Sequence, residues 1–219
     1  MSPEMLSLLL DSFWETCYMV GASTFLSTLI GLPLGVILCV TRKNHILPNP
    51  ALNSILGVIV NATRSTPFII LMVAIIPLTR LIVGTSIGTT AAIVPLTISA
   101  APFIARIIES SLLEIPPGVI EAAQAMGASP MQIINKVLIP EAKHSIVLGV
   151  TLAIISLIGY SAMAGTLGGG GLGDLAIRYG YQRFQPDVMI ATVIVLIVMV
   201  QAMQSLGDHV SKKLNKNKL

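Results

Sequence analysis

The sequence predicts an all-α polytopic membrane protein that crosses the bilayer five times, amino terminus outside and carboxyl terminus in the cytoplasm. Three observations predict this. Of 219 residues, 54% are apolar and 11% charged, against roughly 25% charged in soluble domains. The few charges leave long uncharged gaps, and Lys and Arg fall mostly on one side of them. A soluble chain of this size cannot bury so much apolar surface, so the bilayer is its solvent. This composition fits neither disorder nor collagen, and a net charge of +3 is weak support for a nucleic-acid surface.

The first span lies in the uncharged stretch 16–41. Before it stand Glu4, Asp11 and Glu15 with no Lys or Arg, so the start lacks the basic region of a signal peptide. Cys17 and Cys39 lie near opposite ends of this span, too far apart to pair, and read as small apolar residues.

The second span is the least clean. Only 15 uncharged residues, 65–79, separate Arg64 from Arg80. Extending back to Ile55 completes a span but puts Asn61 and Arg64 in its first turns, with Arg64 near one membrane surface. The alternative is an interfacial amphipathic stretch followed by a short helix starting near Ser65. Spans three, four and five follow in 81–105, 144–173 and 188–207, of 25, 30 and 20 residues, each enough to cross at 1.5 Å per residue. Pro33, Pro67, Pro77, Pro95 and Pro102 fall within spans, where proline can bend a helix or simply be tolerated.

Lys and Arg set the orientation. Arg42, Lys43, Arg64, Arg106, Lys136, Lys143, Lys212, Lys213, Lys216 and Lys218 collect on one side, and Arg80, Arg178 and Arg183 on the other. The rich side is the cytoplasm. The basic tail is expected to lie against anionic headgroups. Arg106 and Glu109, three apart on one helix face, are expected with Arg64 at the inner ends of the second and third spans, bracing the following loop or neutralising one another.

That third connection is long, helix-forming and cytoplasmic. Pro116, Pro117 and Gly118 interrupt it, and Gly127 interrupts it again, leaving a short helix over 119–126. Ser129 should cap a second helix, with Pro130 at its first position and Gln132 completing a capping box. Ile133, Ile134, Val137 and Leu138 give it an apolar face until Pro140, which should stop it. Two short angled helices make either a docking knob, with Ala122, Ala123 and Ala125 admitting a partner closely, or an elbow that packs beneath the bundle.

Absent chemistry narrows the function. There is no Gly-Lys dipeptide for a phosphate loop. His45, His144 and His209 are scattered, without an HExxH or Cys/His cluster. No catalytic group is expected, nor any metal or cofactor site in this chain. No Asp or Glu lies mid-span, which argues against the proton relay of an ion-coupled carrier.

The loop resembles the EAA loop of ABC-importer permeases: EAA, three residues, Gly, nine residues, then I-x-L-P. Glu121, Ala122, Ala123, Gly127 and Pro140 stand at the required distances, with Val137 and Ile139 as conservative departures at the aliphatic positions. RSTPFIILMV at 64–73, the stretch 85–116, GYSAM at 159–163 and GGGGLG at 168–173 are similar to methionine-importer permeases, so the resemblance covers most of the chain. It implies a single transmembrane domain over 1–219 with a coupling loop at about 109–143. It further implies a homodimer, two ATPase subunits holding ATP and Mg, an external substrate-binding protein, and methionine (D- or L-) or a related small solute carried inward by alternating access. The location implied is the bacterial inner membrane, with lipid but no nucleic acid as partner. Met163, with Tyr160 and Ser161, near the outer end of span four, is a candidate gate, since paired thioethers across a two-fold axis make a soft constriction. The glycines at 168–173 would let an outer loop fold tightly over the pathway mouth or under a docked binding protein, or form a flexible turn. Arg178, Tyr179, Tyr181 and Arg183 could meet that binding protein.

Overall fold

The computed structural model describes residues 3–216, so Lys218 of the basic tail lies outside the described residues. Four helices are long and apolar enough to cross a membrane: α1 (Pro3–Val40), α5 (Thr89–Leu113), the continuous Pro130–Thr166, and α10 (Pro186–Lys216). Between α1 and α5 lie α2 (Pro50–Arg64), α3 (Phe68–Ala74) and α4 (Ile76–Val83). After α5 come α6 (Pro117–Ala125), α7 (Pro130–Ile133), a wide π turn (Ile134–Leu138) and α8 (Ile139–Thr166). A short α9 (Gly171–Leu175) and a second π turn (Ala176–Tyr181) lead into α10.

At 38 residues, α1 is about 57 Å long, nearly twice the hydrocarbon thickness. Its first turns, carrying Glu4, Asp11 and Glu15, therefore stand outside the apolar layer. The most extensive helix pair joins α1 to α5. Ser23, Ser27, Gly31, Gly35 and Cys39 recur every fourth residue along α1 and are all buried, forming one stripe on the helix. Thr97, Ala101 and Ala105 face it from α5, and Ser27 Oγ donates to the Thr97 carbonyl at 3.3 Å. In lipid, small residues let backbones approach, and dispersion contacts supply the attraction. A Cβ at Gly35 would sit 2.5 Å from the Ala105 carbonyl oxygen. Gly35→Val is therefore expected to cost about 1–3 kcal/mol of helix packing and to lower the unfolding midpoint in detergent. Gly21→Val, where nothing lies within 4 Å, is expected to leave that midpoint unchanged.

The second crossing differs from a single helix over 55–79. The chain bends by 102° between α2 and α3, so the described residues hold four helices long enough to cross, and a fifth span only if this broken pair is counted as one. The physical cause is Pro67, which lacks an N–H and disfavours helix at Thr66. Ser65 and Thr66 hydroxyls donate to the Asn61 and Ala62 carbonyls, satisfying the frayed end of α2. The alternative reading, an amphipathic stretch then a short helix, matches better, with the short helix starting at Phe68. Pro67 and Pro77 thus begin helices α3 and α4, whereas Pro33, Pro95 and Pro102 lie inside α1 and α5.

Pro140 does not stop its helix. The preceding turn widens, Ile139 N–H donating to the Ile134 carbonyl five residues back. Pro140 then continues the Pro130–Thr166 helix, the widened turn before it making room for its ring and missing N–H. The capping box at Ser129 is present in both directions: Gln132 N–H donates to Ser129 Oγ at 3.4 Å, and Ser129 N–H to Gln132 Oε1 at 2.8 Å.

The glycine run is a packed corner, not a flexible turn. Gly171 N–H donates to Glu15 Oε2 at 2.6 Å and Leu172 N–H to Thr16 Oγ1 at 2.9 Å. Gly171 has φ +76, and a Cβ there would meet Thr16 Oγ1 at 2.6 Å. Arg178 pairs with Asp174 at 2.9 Å, and Arg183 lies over the Tyr179 ring at 4.4 Å. Tyr181 and Phe184 remain exposed beside them.

Candidate functional site

α5 delivers the chain to the cytoplasmic elbow through Ile115 and Pro116. α6 ends at a turn where Gly127, at φ +78, donates its N–H to the Gln124 carbonyl, and Ala128 donates to that of Ala123. The left-handed φ is the reason for glycine at 127, since no neighbouring atom lies within 4 Å of a Cβ there. The inner face of the elbow is fastened to the bundle. Ala123, Ile133 and Leu138 are buried with Leu112, Ile115 and Ala142, against Cys39 and Val40 of α1.

Its other face is open. Glu121, Ala122, Ala125 and Gly127 are exposed, and so are Met126 (82%) and Met131 (65%). Pro140 is exposed beside the π turn. The elbow thus packs beneath the bundle on one face and leaves the other exposed. Ala123 belongs to the packed face, at 3% exposure, whereas Ala122 and Ala125 are exposed. Met126 and Met131 were not singled out from sequence. Their signal was apolar type at positions a helical wheel leaves in water, and flexible thioethers suit an adaptable contact.

Above the elbow sits a buried ion cluster. Glu109 on α5 is 3% exposed. It accepts Arg106 Nη1 at 2.6 Å and pairs with Arg42 Nε at 3.4 Å. Arg106 Nη2 also donates to Asn61 Oδ1 at 2.9 Å and to the Gly57 carbonyl at 3.3 Å. One carboxylate thereby ties the end of α1, the last turns of α2 and the end of α5. The Arg106–Glu109 pair is as the spacing anticipated. Arg42 is an addition, and Arg64 is not in the cluster: its guanidinium lies over Phe103, 6.0 Å from the ring centre. Beside the cluster, burial and the Arg42 charge push the His45 imidazole below its ordinary pKa, and its Nε2 contacts Cys39 Sγ at 3.5 Å. The ring is consequently neutral at pH 7, adding no further positive charge.

At the other end of α8, the three candidate gate residues separate. Ser161 is 2% exposed and donates to the Ile158 carbonyl of its own helix. Tyr160 stacks flat on Phe68 of α3, ring centres 4.8 Å apart. Met163, one turn beyond Tyr160, is exposed. Positions 161 and 163 point to opposite sides of a helix, so they cannot line one constriction.

Among the described residues no three His, Cys, Asp or Glu side chains gather as a metal site. The arrangement offers ion pairing, a fastened elbow and a broken span.

Comparison with known proteins agrees with this. Residues 31–216 match the family of binding-protein-dependent transport system inner membrane components. The chain is 58% identical over 208 residues to the probable D-methionine transport system permease protein MetI of Vibrio cholerae, covering 95% of this chain and 92% of that one. It is 57% identical over 165 residues to the D-methionine transport system permease protein MetI of Escherichia coli, covering 75% and 76%. A solved structure of the MetNI methionine ABC transporter in inward facing conformations aligns at TM-score 0.96 and 51% identity, over 98% of this chain and 99% of that one. An amino acid ABC transporter aligns at TM-score 0.77 and 19% identity, over 97% of this chain and 100% of that one, sharing the fold. The chain belongs to the family of binding-protein-dependent transport system inner membrane components, and is the permease subunit of an ABC importer rather than its ATPase.

Proposed function

We propose that this permease carries methionine into the cytoplasm, as one half of a homodimer served by two ATPase subunits and an external binding protein. The observation that carries the reading is the match along the whole chain to the MetNI methionine transporter at 51% identity. Relatives at 57–58% identity bear the D-methionine designation. A two-fold pair lets about ten helices surround a pathway that one copy cannot enclose. The chain acts as a single transmembrane domain whose elbow, within about 109–143, is its coupling loop. Glu121, Ala122 and Gly127 on the open face seat in the ATPase, with Met126 and Met131 beside them. Ala123 and Pro140 hold the elbow's shape.

Purified complex supplemented with the binding protein tests the substrate. Methionine is expected to raise ATP hydrolysis several-fold above the binding protein alone. No rise with methionine, and a rise with another solute, would contradict it.

Met163 forms the gate in this scheme, backed by Tyr160 on Phe68, and Ser161 has only a packing role. In Met163→Ala the constriction loses its thioether, so preloaded proteoliposomes are expected to leak methionine several-fold faster without ATP. Basal ATP hydrolysis should rise as well. A variant with unchanged leak and unchanged hydrolysis would remove the gate role.

A further inference from the structure

Arg64, near the inner membrane surface, is a charge that the fold leaves without an ion pair among the described residues. It ends α2 at the 102° break, is exposed, and makes no ion pair with any described residue. Its one recorded contact is with the Phe103 ring. Arg106 and Arg42, by contrast, share the Glu109 carboxylate. An unpaired guanidinium does not face lipid tails, and marks a water-filled path or a ligand by default.

A cavity of about 390 Å³ opens in front of it, lined by Phe103, Arg106, Ser110, Glu114 and Leu152 among others. This is the lower part of the range for small-molecule sites. The cavity has an ordered polarity. Arg64 and Phe103 stand at one end and Glu114, where α5 stops, at the other. Phe103 and Glu114 are eleven residues apart, roughly 16 Å along a helix. The Arg64 end therefore lies deeper toward the bilayer, and the Glu114 end toward the cytoplasmic mouth. Irregular backbone at membrane depth, such as Ser65 to Pro67, is tolerated where it lines such a cavity.

We propose that Arg64 is a carboxylate-binding residue of the inward-open pathway, where it takes the α-carboxylate of the amino acid in transit. Guanidinium and carboxylate match as a two-bond pair. Phe103 and Leu152 offer an apolar wall to the side chain. Binding here is loose, because Arg64 is exposed and its charge is screened by water. That suits a station on a path, which must release what it holds. The proposal rests on the reading that this permease carries an amino acid.

The test uses the complete importer in nanodiscs, without nucleotide or binding protein. Saturation-transfer NMR is recorded on L-methionine and on L-methioninamide, which lacks the carboxylate. Wild type is expected to give at least a five-fold stronger signal for methionine. Arg64→Gln should erase that difference and Arg64→Lys keep part of it. Equal signals for the two ligands in wild type, or a methionine signal untouched by R64Q, would overturn the site. If Arg64 instead snorkels to a lipid phosphate, R64Q will lose co-purifying anionic lipid and leave the ligand signals unchanged, which also overturns it. ATP-dependent methionine uptake by wild-type proteoliposomes is measured alongside. Absence of uptake defeats the substrate reading, whereas uptake with carboxylate-blind binding defeats the Arg64 site alone. Should R64Q not fold, the wild-type ligand pair and R64K still decide.

Discussion

Glu121→Lys combined with Gly127→Asp is expected to abolish co-purification of the ATPase and to reduce ATP-dependent uptake to background. Two separate effects act. At 121 the reversal puts a cation in place of an exposed carboxylate that, on the proposed coupling role, meets the ATPase, and a mismatched charge at a desolvated contact costs roughly 2–5 kcal/mol. At 127 the backbone is held at φ +78, which Asp adopts at a cost of about 1–2 kcal/mol. The turn is strained on its exposed side, which shifts the open face of the elbow that the ATPase would meet. Together these exceed two decades in affinity, at about 1.4 kcal/mol per decade. Both positions are exposed, and the packed face of Ala123, Ile133 and Leu138 is untouched. The permease itself should therefore insert and purify normally. Full retention of the complex and of uptake would show that the open face of the elbow is not where the ATPase sits.

Glu109→Gln is expected to have the second largest effect, through a different route. Removing the carboxylate charge leaves Arg106 beside Arg42 with only a neutral amide between them. Breaking one side of a buried pair costs about 3–5 kcal/mol. The lower part of that range applies, because Arg42 is 48% exposed and Arg106 22%, so water screens both. Glu109 lies four residues before the end of α5 and holds α1 and α2 to the helix that carries the elbow. The expected result is a lowered unfolding midpoint and more ATP hydrolysed per methionine moved. Glu109→Asp, which keeps the charge, should recover part of both. If E109Q lowers the midpoint but keeps the wild-type ratio of ATP to methionine, the cluster is structural only.

Much of this architecture was legible in where charge is absent. The gaps found α1, α5, α8 and α10 because lipid forbids charge over a full crossing, a rule that acts residue by residue. The capping box at Ser129 was legible for a similar reason: it is local chemistry, complete within four residues. Failures occurred where an outcome depends on turns further along the chain. Pro67 looked like a residue inside a span, but whether proline bends a helix or ends it depends on which groups donate to the freed carbonyls. Here Ser65 and Thr66 do so, and the chain turns through 102°. Pro140 looked like a stop, but a widened turn before it let the helix continue.

Partners across the bundle were harder to read. Ser23, Ser27, Gly31, Gly35 and Cys39 carry a plain four-residue period in small size, a pattern that apolar counting does not weigh. Arg42 joining Glu109, and Arg64 leaving it for Phe103, follow from how α1, α2 and α5 meet in space. Spacing along one helix predicts Arg106 with Glu109 and nothing beyond. Ala123 had the right size for a docking residue, but only its burial assigns it to the packed face of α6.

The central claim is that this chain moves an amino acid inward because an ATPase pulls on its elbow, and accumulation by sealed proteoliposomes tests it most directly. The vesicles hold the permease with its ATPase, ATP inside, and binding protein with radiolabelled methionine outside. The account predicts accumulation above the external concentration that needs internal ATP and the binding protein, and that persists when ionophores collapse every ion gradient. Accumulation that proceeds without ATP and disappears with the ionophores would identify an ion-coupled carrier and contradict it.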